Sequence, residues 1–318
     1  MTHARALMLT VALVLSLLTR PASAAVRALI ISGLGGEPAY EQKFQQQAAA
    51  MAQAAGRAGA AQKDIVELTG ERAKRTTLNG ELKKFAQAVQ ADDQIIVALI
   101  GHGSYDGDDY RFNLPGPDIT GKEIAAFLDS MAAAQVLVVN ATSSSGAVME
   151  SWRKSNRVAN RVIITATKSG TERNATRFAE FWVQALSSAE ADRDKNEIVT
   201  AAEAYDFASR KVADAFKSDA SLATEHSRLD GKIADRMVVA RLGKSALLPA
   251  DSVLDGLMKE ATGIEQQVEQ VKARKESLDR EQYYNELEKV LLDLARLDKR
   301  IDERKAVLTG GSDAAKNR

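Results

Sequence analysis

Four runs of apolar residues punctuate the first half of the chain, and each ends abruptly on small or polar residues. They are Val26 to Ser32 (VRALIIS), Gln94 to Ile100 (QIIVALI), Val136 to Val139 within the stretch Gln135–Met149, and Arg161 to Ala166 (RVIITA). A run of roughly four to eight apolar residues bounded by turn residues suits a strand buried on both faces, as in a parallel sheet. Asp64 to Leu68 reads as a shorter strand. Between the runs the sequence predicts helices over Glu41–Ala54, Leu78–Val89, Gly121–Met131, Phe178–Ser187 and Thr200–Phe216, with a short helical stretch near Val148–Arg153. Thr120 with Glu123 three residues on has the form of a capping box. Tyr110–Leu114, broken by Pro115-Gly116-Pro117, predicts a short excursion or hairpin. The βαβ alternation predicts an α/β domain over residues 25–248 with a mainly parallel, doubly wound sheet.

Past Pro249 the pattern changes to charged residues, Gln and Leu. Leu254, Leu257, Ala261, Ile264, Val268, Val271 and Leu278 follow a three-four spacing with a polar lapse at Lys275, and Tyr284, Leu287, Leu291, Leu294, Ile301 and Leu308 repeat it out of phase with a lapse at Asp298. Asp279 with Gln282 can cap a new helix at the break. Residues 249–309 are therefore expected to form an antiparallel helical hairpin, or one long helix with a slip. The charges on both helices suit a solvated coiled coil that projects and mediates self-association or partner binding. Residues 310–318 are expected to be a disordered tail.

Composition narrows the function. Lys and Arg number 43 and so do Asp and Glu, so no global field points to nucleic acid or a membrane surface. A weakly basic start, an apolar stretch from Ala6 to Leu18 and Ala22-Ser23-Ala24 form a leader-like pattern, so residues 1–24 are expected to be removed on export to the periplasm or the medium. No later segment is long and apolar enough to span a bilayer. The chain has no cysteine, which excludes disulfides, a thiol nucleophile and thiolate metal sites.

Two loops carry the candidate chemistry. Gln94–Ile100 runs into Gly101-His102-Gly103-Ser104, and the Val136 run into Asn140-Ala141-Thr142-Ser143-Ser144-Ser145-Gly146. Both fall at the carboxyl ends of adjacent predicted strands, where α/β sheets place their ligands. These motifs resemble the caspase–haemoglobinase fold, especially legumain-like cysteine peptidases. There a His-Gly pair ends one strand and Ala-Cys-x-Ser-Gly ends the next. Aligned on Ser-Gly, Ser143 stands at the position of the nucleophilic cysteine; aligned from the strand, Thr142 does. The resemblance implies a caspase-like α/β/α sandwich over about Val26–Phe216, with His102 as base and the Gly103 N–H as an oxyanion donor. A serine hydroxyl needs a strong, oriented base that a thiol does not. The expectation is therefore a non-catalytic pseudopeptidase that binds or scaffolds a protein or peptide partner in the cell envelope. The alternative is a peptidase or amidase using Ser143 with His102.

Asp192, Asp194, Asn196, Thr200 and Glu203 fall at positions 1, 3, 5, 9 and 12 of an EF-hand-type loop, with the Ile198 carbonyl at 7. Calcium is one reading, although position 6 is Glu197 where glycine is expected; the other is a polar turn with Thr200 as helix cap. No other cofactor is indicated: Gly33-Leu34-Gly35-Gly36 lacks the full dinucleotide pattern and reads as a tight turn. Lys168 could act as a base beside a serine but is expected to be a surface lysine. Asp106, Asp108 and Asp109 either favour a basic ligand group or form a solvated loop.

Overall fold

A computed structural model of the chain describes residues 25–131, 133, 135–153, 161–248 and 251–316. The segment read as a leader, residues 1–24, and the boundary at Pro249 lie outside the described residues. No helix among those described is long and apolar enough to cross a membrane.

In chain order the elements begin with β1 (Val26–Ser32), α1 (Pro38–Arg57), β2 (Ile65–Leu68), α2 (Arg75–Ala88) and β3 (Gln94–Ile100). Three short strands follow, β4 (Gly103–Tyr105), β5 (Tyr110–Phe112) and β6 (Ile119–Thr120), then α3 (Gly121–Ser130), β7 (Gln135–Asn140), α4 (Met149–Arg153) and β8 (Arg161–Thr165). The α/β domain is completed by α5 (Phe178–Ala185), β9 (Ile198–Thr200), α6 (Ala201–Ser218), β10 (Arg228–Asp230) and β11 (Val238–Arg241), and α7 (Ser252–Ala273) and α8 (Arg280–Lys316) end the chain.

The main sheet has the order β10-β8-β7-β3-β1-β2. All its pairings are parallel except β10 against β8. The expected mainly parallel α/β architecture is the one found. The continuous apolar runs are explained by burial on both faces, with alternate residues turned to opposite sides. Ala28, Ile30, Ile96, Ala98, Leu137 and Val139 join the core under α1, α5 and α6. Leu29, Ile31, Val97, Leu99, Val136 and Val138 join the other, with Leu78, Leu128 and Trp152.

Polar residues fix the ends of the elements. Thr120 and Glu123 form the reciprocal capping box that the sequence predicted for α3, and Thr200 with Glu203 forms a second at α6. At the amino-terminal edge of the sheet, Arg27 Nε donates to Asp93 at 2.6 Å and its guanidinium also pairs with Asp64. Asp93, 2 % exposed, further accepts the N–H groups of Ala25 and Gln90 at 3.0 and 2.9 Å. The short strands β9, β10 and β11 were not foreseen. Each has three or four residues, too few to display a period of two.

The C-terminal helices form an antiparallel hairpin, as one of the two sequence readings had it. Gln282 N–H donates to Asp279 at 2.9 Å, the new cap at the break. Leu254, Leu257, Ala261, Leu297 and Ile301 make its inner core, and Arg304 of α8 clamps Asp251, the N-cap of α7. The base of the hairpin does not stand clear of the α/β domain: the Arg241 guanidinium lies 3.6 Å from the Met258 sulfur. Helix α8 runs on to Lys316, past the Gly310 where the composition suggested order would end.

Removing the Asp93 carboxylate leaves Arg27 with Asp64 alone and strips the acceptor from two backbone N–H groups. Asp93→Ala is therefore expected to cost about 3–5 kcal/mol, the usual scale for breaking a buried pair. Urea denaturation of the wild type and variant measures it.

Candidate functional site

The ends of β3 and β7 are adjacent, since Leu99 is in register with Asn140 and Ala141 N–H still donates to the Leu99 carbonyl at 2.9 Å. The two loops picked out from the sequence therefore do meet at one edge of the sheet. Gly101 takes φ +147°, a conformation that side chains disfavour, and turns the chain out of the strand. The chain then runs into β4, whose first residue, Gly103, lies hard against the β7 loop. A methyl group at Gly103 would stand 2.5 Å from the Ser143 carbonyl oxygen and 2.7 Å from Thr142 Oγ1.

No hydrogen bond joins His102 to Ser143 among the described residues. The half-buried His102 ring packs edge-on against Tyr40 and Phe44 of α1, with centroids at 5.1 and 5.2 Å. Ser143 is 3 % exposed. Its hydroxyl donates to the Gly103 carbonyl at 3.1 Å and accepts the Gly103 N–H at 3.2 Å. The N–H expected to act as an oxyanion donor is thus occupied by the hydroxyl expected to attack. Thr142, the other register, is fully buried. Its Oγ1 lies 2.7 Å from the Tyr110 hydroxyl and donates to Asn140 Oδ1 at 2.8 Å. Burial pushes the Tyr110 hydroxyl pKa up, so Tyr110 stays neutral.

The remaining loop residues bind the strand ends to one another. Ser144 adopts φ +57°, and its N–H donates to the Glu172 carbonyl at 2.8 Å. Ser145 Oγ accepts the Thr167 N–H at 3.1 Å, and Thr167 Oγ1 accepts the Gly146 N–H at 2.8 Å. A methyl at Gly146 would meet the Lys168–Ser169 peptide at 2.2 Å, so glycine is required there. Asn140 Nδ2 and Ser144 Oγ, both buried, have no hydrogen-bond partner among the described residues.

A cluster that the sequence reading passed over lies beside this loop. Glu172 accepts the Lys168 N–H at 2.9 Å, and His226 Nδ1 lies 2.5 Å from its other oxygen. Burial opposes ionisation of Glu172, but the bonds from Lys168 and His226 outweigh it and hold its pKa down. Next to it the buried Glu225 accepts the N–H groups of Arg177 and Phe178 at 2.7 and 2.9 Å, capping α5. Burial drives the Glu225 pKa up to about 7 against the pull of those bonds. Local sequence offered no signal for this group. Only the pairing of β10 with β8 brings residues 225 and 226 to residue 172.

Other expected roles are bland. Lys168 is an exposed lysine 3.7 Å from Glu172. Asp106 accepts the N–H groups of Asp108 and Asp109 and pairs with Arg111, whose bond chiefly holds its pKa down, so this loop is closed on itself. In the glycine turn, Gly33 N–H is taken by the Ile100 carbonyl and Gly35 N–H by Glu41. Those donors are not turned to a phosphate.

In the EF-hand-like loop, one oxygen each of Asp192, Asp194 and Glu203 lies within 4.8 Å of the others. Glu197, at position 6, adopts φ +66°, the conformation for which glycine is preferred there. The oxygens are also engaged internally. Asp192 accepts the N–H groups of Asn196 and Glu197 at 3.1 and 2.9 Å, and Asn196 Oδ1 accepts that of Ile198 at 2.7 Å. Glu203 accepts those of Arg193 and Thr200 at 3.0 and 2.9 Å. Thr200 Oγ1 is used as the helix cap. Ile198 belongs to β9, paired with Arg241.

No protein-family model matches the chain, and no characterised protein matches it in sequence. Among solved structures it is similar to a protein of Geobacter sulfurreducens at 15 % identity and a TM-score of 0.42, over 64 % of this chain and 92 % of that one. It is also similar to caspase-1 of Spodoptera frugiperda at 12 % identity and a TM-score of 0.43, over 69 % of this chain and 89 % of the other. At this level of similarity, chemistry has to be read from the residues themselves.

The raised pKa of Glu225 sets a sign for pH dependence. Between the ordinary carboxylate value and about 7 the folded chain holds a proton that the unfolded chain has released. This group's contribution is therefore present at pH 4 and is lost as pH rises through 7. Glu225→Gln should flatten that fall, so the stability of wild type relative to the variant decreases from pH 4.5 to 7.5. Thermal melts of both across that range provide the check.

Proposed function

We propose that the chain is an exported caspase- or legumain-like protein without a catalytic cysteine, which binds or scaffolds a protein or peptide partner in the cell envelope instead of hydrolysing it. The observation that carries this reading is the double hydrogen bond between Ser143 and the Gly103 backbone. A hydroxyl held this way is neither exposed nor next to a free base, and its activation would require breaking both bonds. The His102 ring, turned to Tyr40 and Phe44, supplies no such base. The leader-like start of the sequence supports export.

The edge has the ingredients of a recognition surface. His102, Lys168, Glu172 and His226 present both charge signs around loops held rigidly by buried hydroxyl bonds. Rigid positioning of polar groups is what a binding site needs, whether or not a reaction follows.

The mature protein should give no labelling with a fluorophosphonate serine probe and no cleavage of a peptide library. Ser143→Cys should remain inactive towards the same library, because the thiol would be enclosed as the hydroxyl is. Ser143→Ala should lower stability by roughly 1–2 kcal/mol, the cost of leaving a backbone donor and acceptor unpaired. Probe labelling that disappears in Ser143→Ala would instead establish the peptidase or amidase alternative.

A further inference from the structure

A separate concavity lies between the Asp192–Glu203 loop and the helical hairpin and shares no residue with the His102 loop. It is a cleft of about 790 Å³. Asp194 and Glu203 of the loop and Glu265 of α7 line it with carboxylates, and Leu291 and Leu294 of α8 with the buried Val268 of α7 line it with apolar groups. The apolar line continues from Leu291 through Leu287 to Tyr284. Leu291 and Tyr284 are 45 % and 55 % exposed.

These carboxylates are not balanced from within. The two cations of the lining are paired with other carboxylates of the same lining, Arg193 with Asp206 at 3.2 Å and Lys272 with Glu269 at 2.8 Å, and neither is paired with Asp194, Glu203 or Glu265. The carboxylate of half-buried Glu265 has no hydrogen bond or ion pair among the described residues, and its pKa is pushed up by burial, then by Asp298 and Glu203. One carboxylate oxygen of Asp194 lies within 4.8 Å of one of Glu203. Carboxylates that repel one another in this way are stabilised by any cationic group placed between them.

We propose that this cleft receives a basic, amphipathic segment of a partner protein, its lysine or arginine side chains on Glu265, Asp194 and Glu203 and its apolar face on Leu291 and Leu294. The charge imbalance selects a cation, and the adjoining leucines select one that carries apolar surface. A bare metal ion would leave the leucines exposed. A second copy of the chain, docked through the same face, would bring its own Glu265 and Glu288 to an already acidic surface. An amphipathic helix laid in a groove satisfies both sets of groups at once.

The test uses the full mature chain and a fluorescent 14-residue Leu/Lys peptide patterned as an amphipathic helix. A scrambled peptide of the same composition and a Leu/Glu counterpart serve as controls. Fluorescence anisotropy should show saturable binding of the patterned Leu/Lys peptide, at least fivefold weaker for the scramble and absent for Leu/Glu. Glu265→Gln and Leu291→Ser should each weaken binding at least fivefold. Glu71→Gln, an exposed acid outside the cleft, should leave it unchanged. Glu265→Gln should also raise the melting temperature of the free chain. Equal binding of the scramble, or equal loss in Glu71→Gln, would reduce the effect to diffuse charge and overturn the proposal. So would no binding, calcium alone both raising the melting temperature and displacing the peptide, or a dimer that Leu291→Ser dissociates and that excludes the peptide.

Discussion

Gly103 and the Thr142–Ser143 peptide approach one another too closely for any side chain to stand between them. This approach depends on two earlier features of the fold. The β3–β7 register places Leu99 beside Asn140, and the left-handed turn at Gly101 steers the chain across the neighbouring strand end. Once the backbones are this close, the Ser143 hydroxyl is enclosed and bonds to the nearest backbone groups. The chemical character of the edge follows from that geometry. A strand end that would expose a nucleophile here uses its hydroxyl as a tie between loops.

The same logic runs along the whole carboxyl edge of the sheet. Thr142, Ser145 and Thr167 are buried, and hydroxyls form hydrogen bonds there that backbone groups could not complete alone. A chain without cysteine has no disulfide to fix such loops, so side-chain to backbone bonds take that role. The amino-terminal edge is tied differently, by Arg27 between Asp64 and Asp93. There a charged group reaches across three strands because Ala25, Asp64 and Asp93 lie beside one another at the sheet's end.

Much of this was legible in the sequence, and the parts that were not have a common cause. Apolar runs such as Gln94–Ile100 announce a doubly buried strand, because burial on both faces leaves no polar alternation. The Thr120–Glu123 and Thr200–Glu203 caps and the break at Asp279 are local in sequence and were readable for that reason. The strand-end loops could be located, but not the direction of the His102 ring, since Tyr40 and Phe44 lie some sixty residues away on α1. Glu172 with His226 was invisible on the same ground: a three-residue antiparallel strand, β10, is what joins them. The projecting hairpin was inferred from surface charge, which does not reveal that Arg241 reaches Met258.

The two polar regions of the molecule differ in how far their groups are satisfied internally, and this difference separates structure from recognition. Around Ser143 nearly every hydroxyl has a partner, so the loop is rigid and its hydroxyls are committed. In the cleft beneath the hairpin, Asp194 and Glu203 likewise accept backbone N–H groups. Glu265 does not. Helix α7 carries it there because the same helix must turn Leu254, Leu257 and Ala261 inward to α8, and at helical spacing Glu265 then falls on the side towards the loop. The packing of the hairpin itself therefore places an uncompensated carboxylate opposite Asp194. Such an arrangement costs stability in the free chain and is relieved by a cation from outside it.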